Sequence, residues 1–324
     1  GMIFANLFYW CTNQYVIQRT LAAKNLAEGQ KGVLFSGFFK VLVPFIMMLP
    51  GVIAFHLYGA VGSETGLASI DLAYPQLIRD VLPVYAMGFF LAVLLGAVFS
   101  SFNSLLNSAA TLFCLDVYVP YKERQGQQHV SDEKVLKMAK RASIVIALFS
   151  FVVAPMLQFA PDGLWQIIRV FTGFYNIPVI AIVIVGLFAP QVPALGPKLV
   201  ICFHILVYGL LKFVFDDVVT LHFIHLYAIL FFIEVAIMLV VGMRYPRAAV
   251  WTYSTSDKVD LQPWRFAGPC AVTLISCVIG LYLLFSPIGL VGGISTLFWF
   301  AISALTVANM AVWLLAYRPG YSPL

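Results

Sequence analysis

Apolar stretches long enough to cross a membrane recur from one end of this chain to the other, and that recurrence limits what it can fold into. A helix needs about 20 apolar residues to span a hydrocarbon core of roughly 30 Å. The run GVLFSGFFKVLVPFIMMLPGVIAF, residues 32–55, is one such stretch. Inside a bilayer only helices and closed barrels satisfy their own backbone groups. Barrel strands alternate apolar and polar residues, whereas these runs are continuously apolar, so the chain reads as an all-α polytopic membrane protein. Composition agrees: 10% of residues are charged and 62% hydrophobic, against roughly 25% charged in a soluble domain.

The pattern predicts nine spans, at 2–21, 32–58, 85–118, 135–158, 163–188, 196–215, 219–243, 267–286 and 290–316. With the first span running inward, fifteen of the nineteen cations fall on one side, among them Arg19, Lys24, Lys31, Lys134, Lys137, Arg244, Lys258, Arg265 and Arg318. The opposite loops keep Arg79 and collect Glu64, Asp71, Asp80, Asp162, Asp216 and Asp217. Lys and Arg favour cytoplasmic loops, which puts the C-terminus inside. The net charge of +5 follows this topology and gives no reason to expect a nucleic-acid partner. A short interfacial helix is expected in SIDLAYPQLIRDVLP, ending before Pro83, and Ser131 reads as the start of a helix.

Two adjacent spans break the apolar rule. The first carries Asn6, Tyr9, Trp10, Thr12, Asn13, Gln14 and Gln18, and the second carries Lys40. Polar and ionisable groups at that depth are expensive and face a water-filled cavity, a partner or a solute. Tyr and Trp offer apolar faces with a polar edge, which suits the C–H faces of a sugar ring. Asn6 can bond a hydroxyl, and Lys40 can donate up to three hydrogen bonds. The plainer reading is a packed Tyr-Trp pair and a lysine reaching for the interface, although such a lysine normally lies near a span end. Pro44 and Pro50 in the second span, and Gly173 with Pro178 in the fifth, mark expected breaks of the kind that transporters place at midplane sites.

The run Asn6-Leu7-Phe8-Tyr9-Trp10, then Asn13-Gln14 and Gln18 to Ala22, resembles the sodium/solute symporter family in its sodium/glucose-cotransporter-like branch. So do Lys40-x-x-x-Pro44 and SSFNSLLNSAATLFCLDVY, residues 100–118, while AFHLYG and Gln262 to Trp264 are similar to its YidK-like bacterial members. The resemblance covers essentially the whole chain. It implies the leucine-transporter-type inverted-repeat fold, with 1–190 as the second repeat in five spans and 191–324 as four peripheral spans. The chain then opens at the first helix of that second repeat, so roughly the N-terminal half of the core is expected to be missing and the piece alone is not expected to transport. By resemblance Asn6 and Lys40 bind sugar hydroxyls, and Tyr9 closes the inner side of the site with support from Trp10.

On the third span Ala97 and Ser101 share a face at i, i+4. Hydroxyl and carbonyl oxygens suit a hard cation, and a serine that bends its helix frees a carbonyl for one. The resemblance implies that the Ala97 carbonyl with the Ser100 and Ser101 hydroxyls forms half of a sodium site. The alternative is close helix packing by small residues, the reading given to Asn103, Ser104 and Asn107. Sugar-transporting relatives carry glutamine at the position of Arg169. Arginine only donates, through a planar fork suited to carboxylate or sulfate, so with Lys40 it leans toward an acidic sugar-like solute. Equally, Arg169 reaches only the outer interface.

Glu234 lies inside the seventh span, where a carboxylate relays protons or, more often, is neutral or paired with a neighbour. His56, His204 and His222 show no metal spacing, and the five cysteines read as small buried hydrophobes. No nucleophile–base pair, phosphate loop or metal cluster supports an enzyme. The expectation is sodium-coupled symport by alternating access, with sodium as the coupling ion and no organic cofactor. The rivals are a solute and sodium sensor without flux, and a proton-coupled symporter of the same fold.

Overall fold

The computed structural model describes all residues except 61–62, 64–65, 127–129, 160–163, 216–217, 249–258 and 319–324. Glu64, Asp162, Asp216, Asp217 and Lys258, used above for orientation, lie outside the described residues. Every regular element among the described residues is helical. Eight helical stretches are long and apolar enough to cross a membrane: Leu26–Tyr58, Val84–Arg124, Asp132–Leu157, Leu164–Phe188, Leu195–Val214, Phe223–Arg244, Ala267–Leu284 and Thr296–Ala316. The protein is a polytopic integral membrane protein.

The first expected span differs. It consists of two short helices, α1 (Met2–Cys11) and α2 (Gln14–Leu21), separated at Thr12 and Asn13. The Thr12 hydroxyl donates back to the Phe8 carbonyl at 2.9 Å, and Asn13 Oδ1 accepts from the Tyr15 amide at 3.3 Å. Short polar side chains that bond the neighbouring backbone offer it an alternative to the helix, and two in succession end α1.

The second span is α3 (Leu26–Val41), a π-helical turn at Pro44–Met48, and α4 (Leu49–Tyr58). Asn25 caps α3 by accepting from the Glu28 amide at 2.9 Å. Pro44 has no amide to give the Lys40 carbonyl, so the regular ladder stops just after Lys40, as the prolines predict. The short helix expected ahead of Pro83 is present as α5 (Ala73–Val81), and α6 (Val84–Leu112) follows it. A second π-helical turn at Phe113–Tyr118, then α7 (Val119–Arg124), closes that span. Ser131 is the residue before α8 (Asp132–Val153), as the sequence indicates. The remaining helices are α9 (Leu164–Phe188), α10 (Leu195–Gly209), α11 (Phe223–Arg244), α12 (Ala267–Leu284) and α13 (Thr296–Ala316). α9 runs unbroken through Gly173 and Pro178, against expectation. Gly173 is there for another reason: a Cβ on it would stand 2.5 Å from Tyr227 Cε1.

The chain divides into two compact units, Gly1–Gln18, Ser69–Asp71 and Val81–Ser254, and Arg19–Ala68, Leu72–Asp80 and Thr255–Leu324. In the first, α1, α9, α10 and α11 pack around Ala5, Phe8, Ile177, Val200, Tyr208, Tyr227 and Met238, while α6 packs on α8. Phe4 stacks on Phe231 with ring centres 3.9 Å apart. The Asp71 carboxylate accepts from the Leu164 amide at 3.2 Å and so holds the start of α9. In the second unit α12 packs against α3 and α13. There Arg265 donates to the Ala316 and Arg318 carbonyls at 2.9 and 3.1 Å, closing the end of α13. Thr273, Ser276, Asn309 and Trp313 form a hydrogen-bond network between α12 and α13. At the end of this unit's α4, the Tyr58 hydroxyl donates to Asp80 at 2.7 Å.

Candidate functional site

The residues of the first span expected to meet solute, Asn6, Tyr9 and Trp10, stand on α1. Tyr9 is half-buried, its hydroxyl 2.9 Å from that of Tyr15 across the break, and its ring meets Trp10 edge-on at 5.3 Å. Trp10 is 40% exposed and Asn6 is exposed. The break at Thr12 and Asn13 therefore does chemical as well as conformational service: it turns the chain so that Tyr15 returns to Tyr9.

α1 packs along α9, which carries Arg169. The guanidinium lies over the Trp165 ring at 4.6 Å, where a cation meets the negative face of the indole. Its helix packs against both α1 and α11, and the Tyr227 hydroxyl of α11 donates to the Arg169 carbonyl. Arg169 Nε is buried and without a hydrogen-bond partner among the described residues, as is Asn176 Oδ1 two turns further along the same helix. A buried donor without a partner costs about 1–3 kcal/mol, so each such atom marks a place where something polar is wanted.

Lys40 lies in the other unit, in the last turn of α3 directly before the Pro44 break, on an exposed position. Ala97, Ser100 and Ser101 lie on α6, all exposed on a helix that is regular through this stretch. The Ser104 hydroxyl donates to the Ser100 carbonyl at 2.9 Å, back-bonding within the helix without breaking it. The structure thus places Tyr9 and Trp10 on α1, Arg169 on the α9 that packs against it, and Ala97, Ser100 and Ser101 along one helix. Among the described residues no hydrogen bond or ion pair joins α6 to Asn6, Tyr9 or Arg169.

The sequence reading missed a partner. Glu234 is fully buried and bonded to His204 Nδ1, and His204 Nε2 lies 3.1 Å from the Gly173 carbonyl oxygen. Pairing of Glu234 with a neighbour was expected, but the neighbour was not named. A signal was available. Antiparallel helices joined by a short loop bring level those residues that lie equally far from the turn. His204 and Glu234 are each fifteen residues from Val219, which lies near the middle of the connection between the helical stretch Leu195–Val214 and α11. His222 in contrast caps α11, its Nδ1 accepting from the Ile224 amide at 3.4 Å.

A sequence model of the sodium:solute symporter family matches residues 1–197. The chain is similar to the protein named "Uncharacterized symporter YidK" of Escherichia coli K12, with 39% identity over 327 residues that take in all of this chain and 54% of the relative. It is also similar to the sodium/glucose cotransporter of Vibrio parahaemolyticus, 37% identical over 60% of this chain and 37% of that protein. Sodium/glucose cotransporter 1 of Sus scrofa is 33% identical over 59% of this chain and 30% of its own length. The chain thus spans about half the length of its YidK relative and less of the others. With the match extending from the first residue through α9, the chain belongs to the sodium:solute symporter family.

Proposed function

We propose that this chain serves sodium-coupled symport of a sugar or sugar-like solute, with an acidic sugar favoured, by alternating access in a bacterial inner membrane. Residues 1–190 form the second inverted repeat of a leucine-transporter-type core, residues 191–324 form peripheral helices, and the C-terminus is cytoplasmic. The observation that carries the reading is Arg169: a half-buried guanidinium with an unpartnered Nε, set over Trp165 on the helix that packs against α1. A planar fork of donors with a spare N–H suits a carboxylate or a hydroxyl-rich rim. Asn6 and Lys40 bond solute hydroxyls, and Trp10 supports Tyr9, whose ring closes the inner side. The Ala97 carbonyl and the Ser100 and Ser101 hydroxyls contribute oxygen ligands to sodium.

The cycle follows from differential binding. Sodium held by α6 favours the outward-open state, solute then favours closure, and inward release proceeds past Tyr9. A ligand shifts such an equilibrium only by its difference in affinity for the two states. The relatives named as sodium/glucose cotransporters support sugar as the solute class, and the arginine at position 169 supports the acidic preference.

The test is binding of labelled neutral and acidic sugars, with and without sodium, to the purified protein in lipid nanodiscs. Sodium-dependent binding that is lost in Ser101→Ala, with acidic preference lost in Arg169→Gln, is the expected result. Binding indifferent to sodium and to Ser101 overturns the symport reading.

A further inference from the structure

Three polar side chains of α10 and α11 converge on one stretch of α9. The Tyr227 hydroxyl donates to the Arg169 carbonyl, the Tyr208 hydroxyl donates to the Val170 carbonyl at 3.1 Å, and His204 Nε2 meets the Gly173 carbonyl at 3.1 Å. A hydroxyl carries one hydrogen to donate, whereas an imidazole has two ring nitrogens that can each carry one, so the bonding of His204 is worked out atom by atom.

A carbonyl oxygen only accepts, so Nε2 carries a hydrogen and donates it. That leaves Nδ1 facing Glu234 Oε1. With Nε2 protonated, a neutral imidazole offers a lone pair at Nδ1, and a carboxylate offers only lone pairs at Oε1. Two acceptors do not bond. The contact therefore requires one further proton, either on Oε1 as an acid donating to imidazole or on Nδ1 as an imidazolium donating to a carboxylate. Both arrangements hold the same number of protons. Each side chain is 0% exposed, and Glu234 Oε2 has no partner among the described residues. Removing the proton would leave a buried carboxylate charge against a nitrogen lone pair, which is costly in a bundle that excludes water.

We infer that His204 and Glu234 form a buried binding site for one exchangeable proton, and that the loaded pair locks α10 and α11 onto α9 at Gly173. The empty pair frees that contact and loosens the stretch of α9 that bears Arg169. This inference does not depend on which solute, if any, Arg169 meets. The titratable and charged groups on the helices packed around the pair are Tyr208, stacked on the imidazole at 5.3 Å, Tyr227 on α11, Arg169 and Tyr175 on α9, and Tyr9 on α1. Among the described residues, neither His204 nor Glu234 makes a second ion pair.

The experiment is hydrogen exchange of the 164–178 segment in the full chain in lipid nanodiscs, followed across pH and corrected for the intrinsic pH dependence of exchange. The sign follows from the geometry: the lock is present with the proton and lost as the pH rises and the proton leaves. The wild-type segment is expected to exchange roughly tenfold faster once the pair is empty, the effect of one lost charge-assisted hydrogen bond. Glu234→Gln places an amide N–H permanently against Nδ1 and is expected to stay slow at every pH. Glu234→Ala is expected to be fast at every pH. A Glu234→Gln chain that keeps the wild-type pH dependence overturns the proposal, because the proton would then act elsewhere. Should the variants fail to fold, the ring-nitrogen magnetic resonances of His204 in the wild type decide. They are expected to move in one step with pH, and resonances that stay fixed overturn the site.

Discussion

The α9–α10–α11 group and the α6–α8 pair are built from equally apolar helices, yet they handle polar atoms in opposite ways. In the first, polar groups turn inward and bond backbone: Tyr208, Tyr227 and His204 all reach carbonyls of α9, and Glu234 is enclosed with them. In the second, Ser100, Ser101, Asn103 and Asn107 lie on exposed positions of α6, its most apolar 18-residue stretch buries no residue, and neither does α8. Ser104 and Ser108 are the buried polar residues of α6, and Ser104 spends its hydroxyl on its own helix. Membrane helices without a hydrophobic drive to associate rely on close packing and interhelical hydrogen bonds. The first region uses that cement inside the chain. The second keeps its oxygens outward, where a cation or another surface can meet them.

This contrast can be broken most sharply at Gly173. Gly173→Ala places a methyl 2.5 Å from Tyr227 Cε1, and forcing such an overlap costs about 1–3 kcal/mol. Unfolding in mixed micelles should show that loss, and Tyr227→Leu should recover part of it in the double variant, since contacting sites are not additive. Equal loss in the single and double variants would mean that the methyl is felt elsewhere than at Tyr227.

Ser101→Ala sharpens the comparison from the other side. An exposed hydroxyl that holds no fold contact should cost within about 0.5 kcal/mol, so the unfolding midpoint should stay in place while any sodium-dependent shift of it disappears. A large loss of stability with the sodium response intact would make Ser101 a packing residue.

The smallest effect is expected outside the membrane, at Asp80 on α5. The Tyr58 hydroxyl, then the Gln76 amide, hold its carboxyl below the ordinary carboxylate value, with Arg79 a lesser contributor. A lowered folded value means stability that is present above the unfolded value and lost as the pH falls through the folded one. Tyr58→Phe should therefore flatten the acid limb of the stability curve slightly and leave neutral pH almost unchanged. An acid limb unaltered by the substitution would show that the Tyr58 hydroxyl does not hold Asp80.

The amino-acid sequence determined the class of fold and most of its punctuation. Continuous apolar runs leave helices as the only way to satisfy backbone in a bilayer, so eight of the spans and the ends marked by Pro83 and Ser131 were legible from local chemistry. The kink after Lys40 was legible too, because Pro44 removes an amide wherever it stands. Only tertiary structure decided the rest. Pro178 alone did not end α9, which runs on through it as a packed helix of the first unit. Gly173 looked like a flexible joint but serves a close approach, and a glycine looks the same in sequence for either use. Glu234 could be recognised as needing a partner from its depth alone. That the partner is His204, and that both are tied to a carbonyl of a third helix, depends on how three helices align. That alignment is set by side-chain packing between elements, which the local pattern of a single span does not contain.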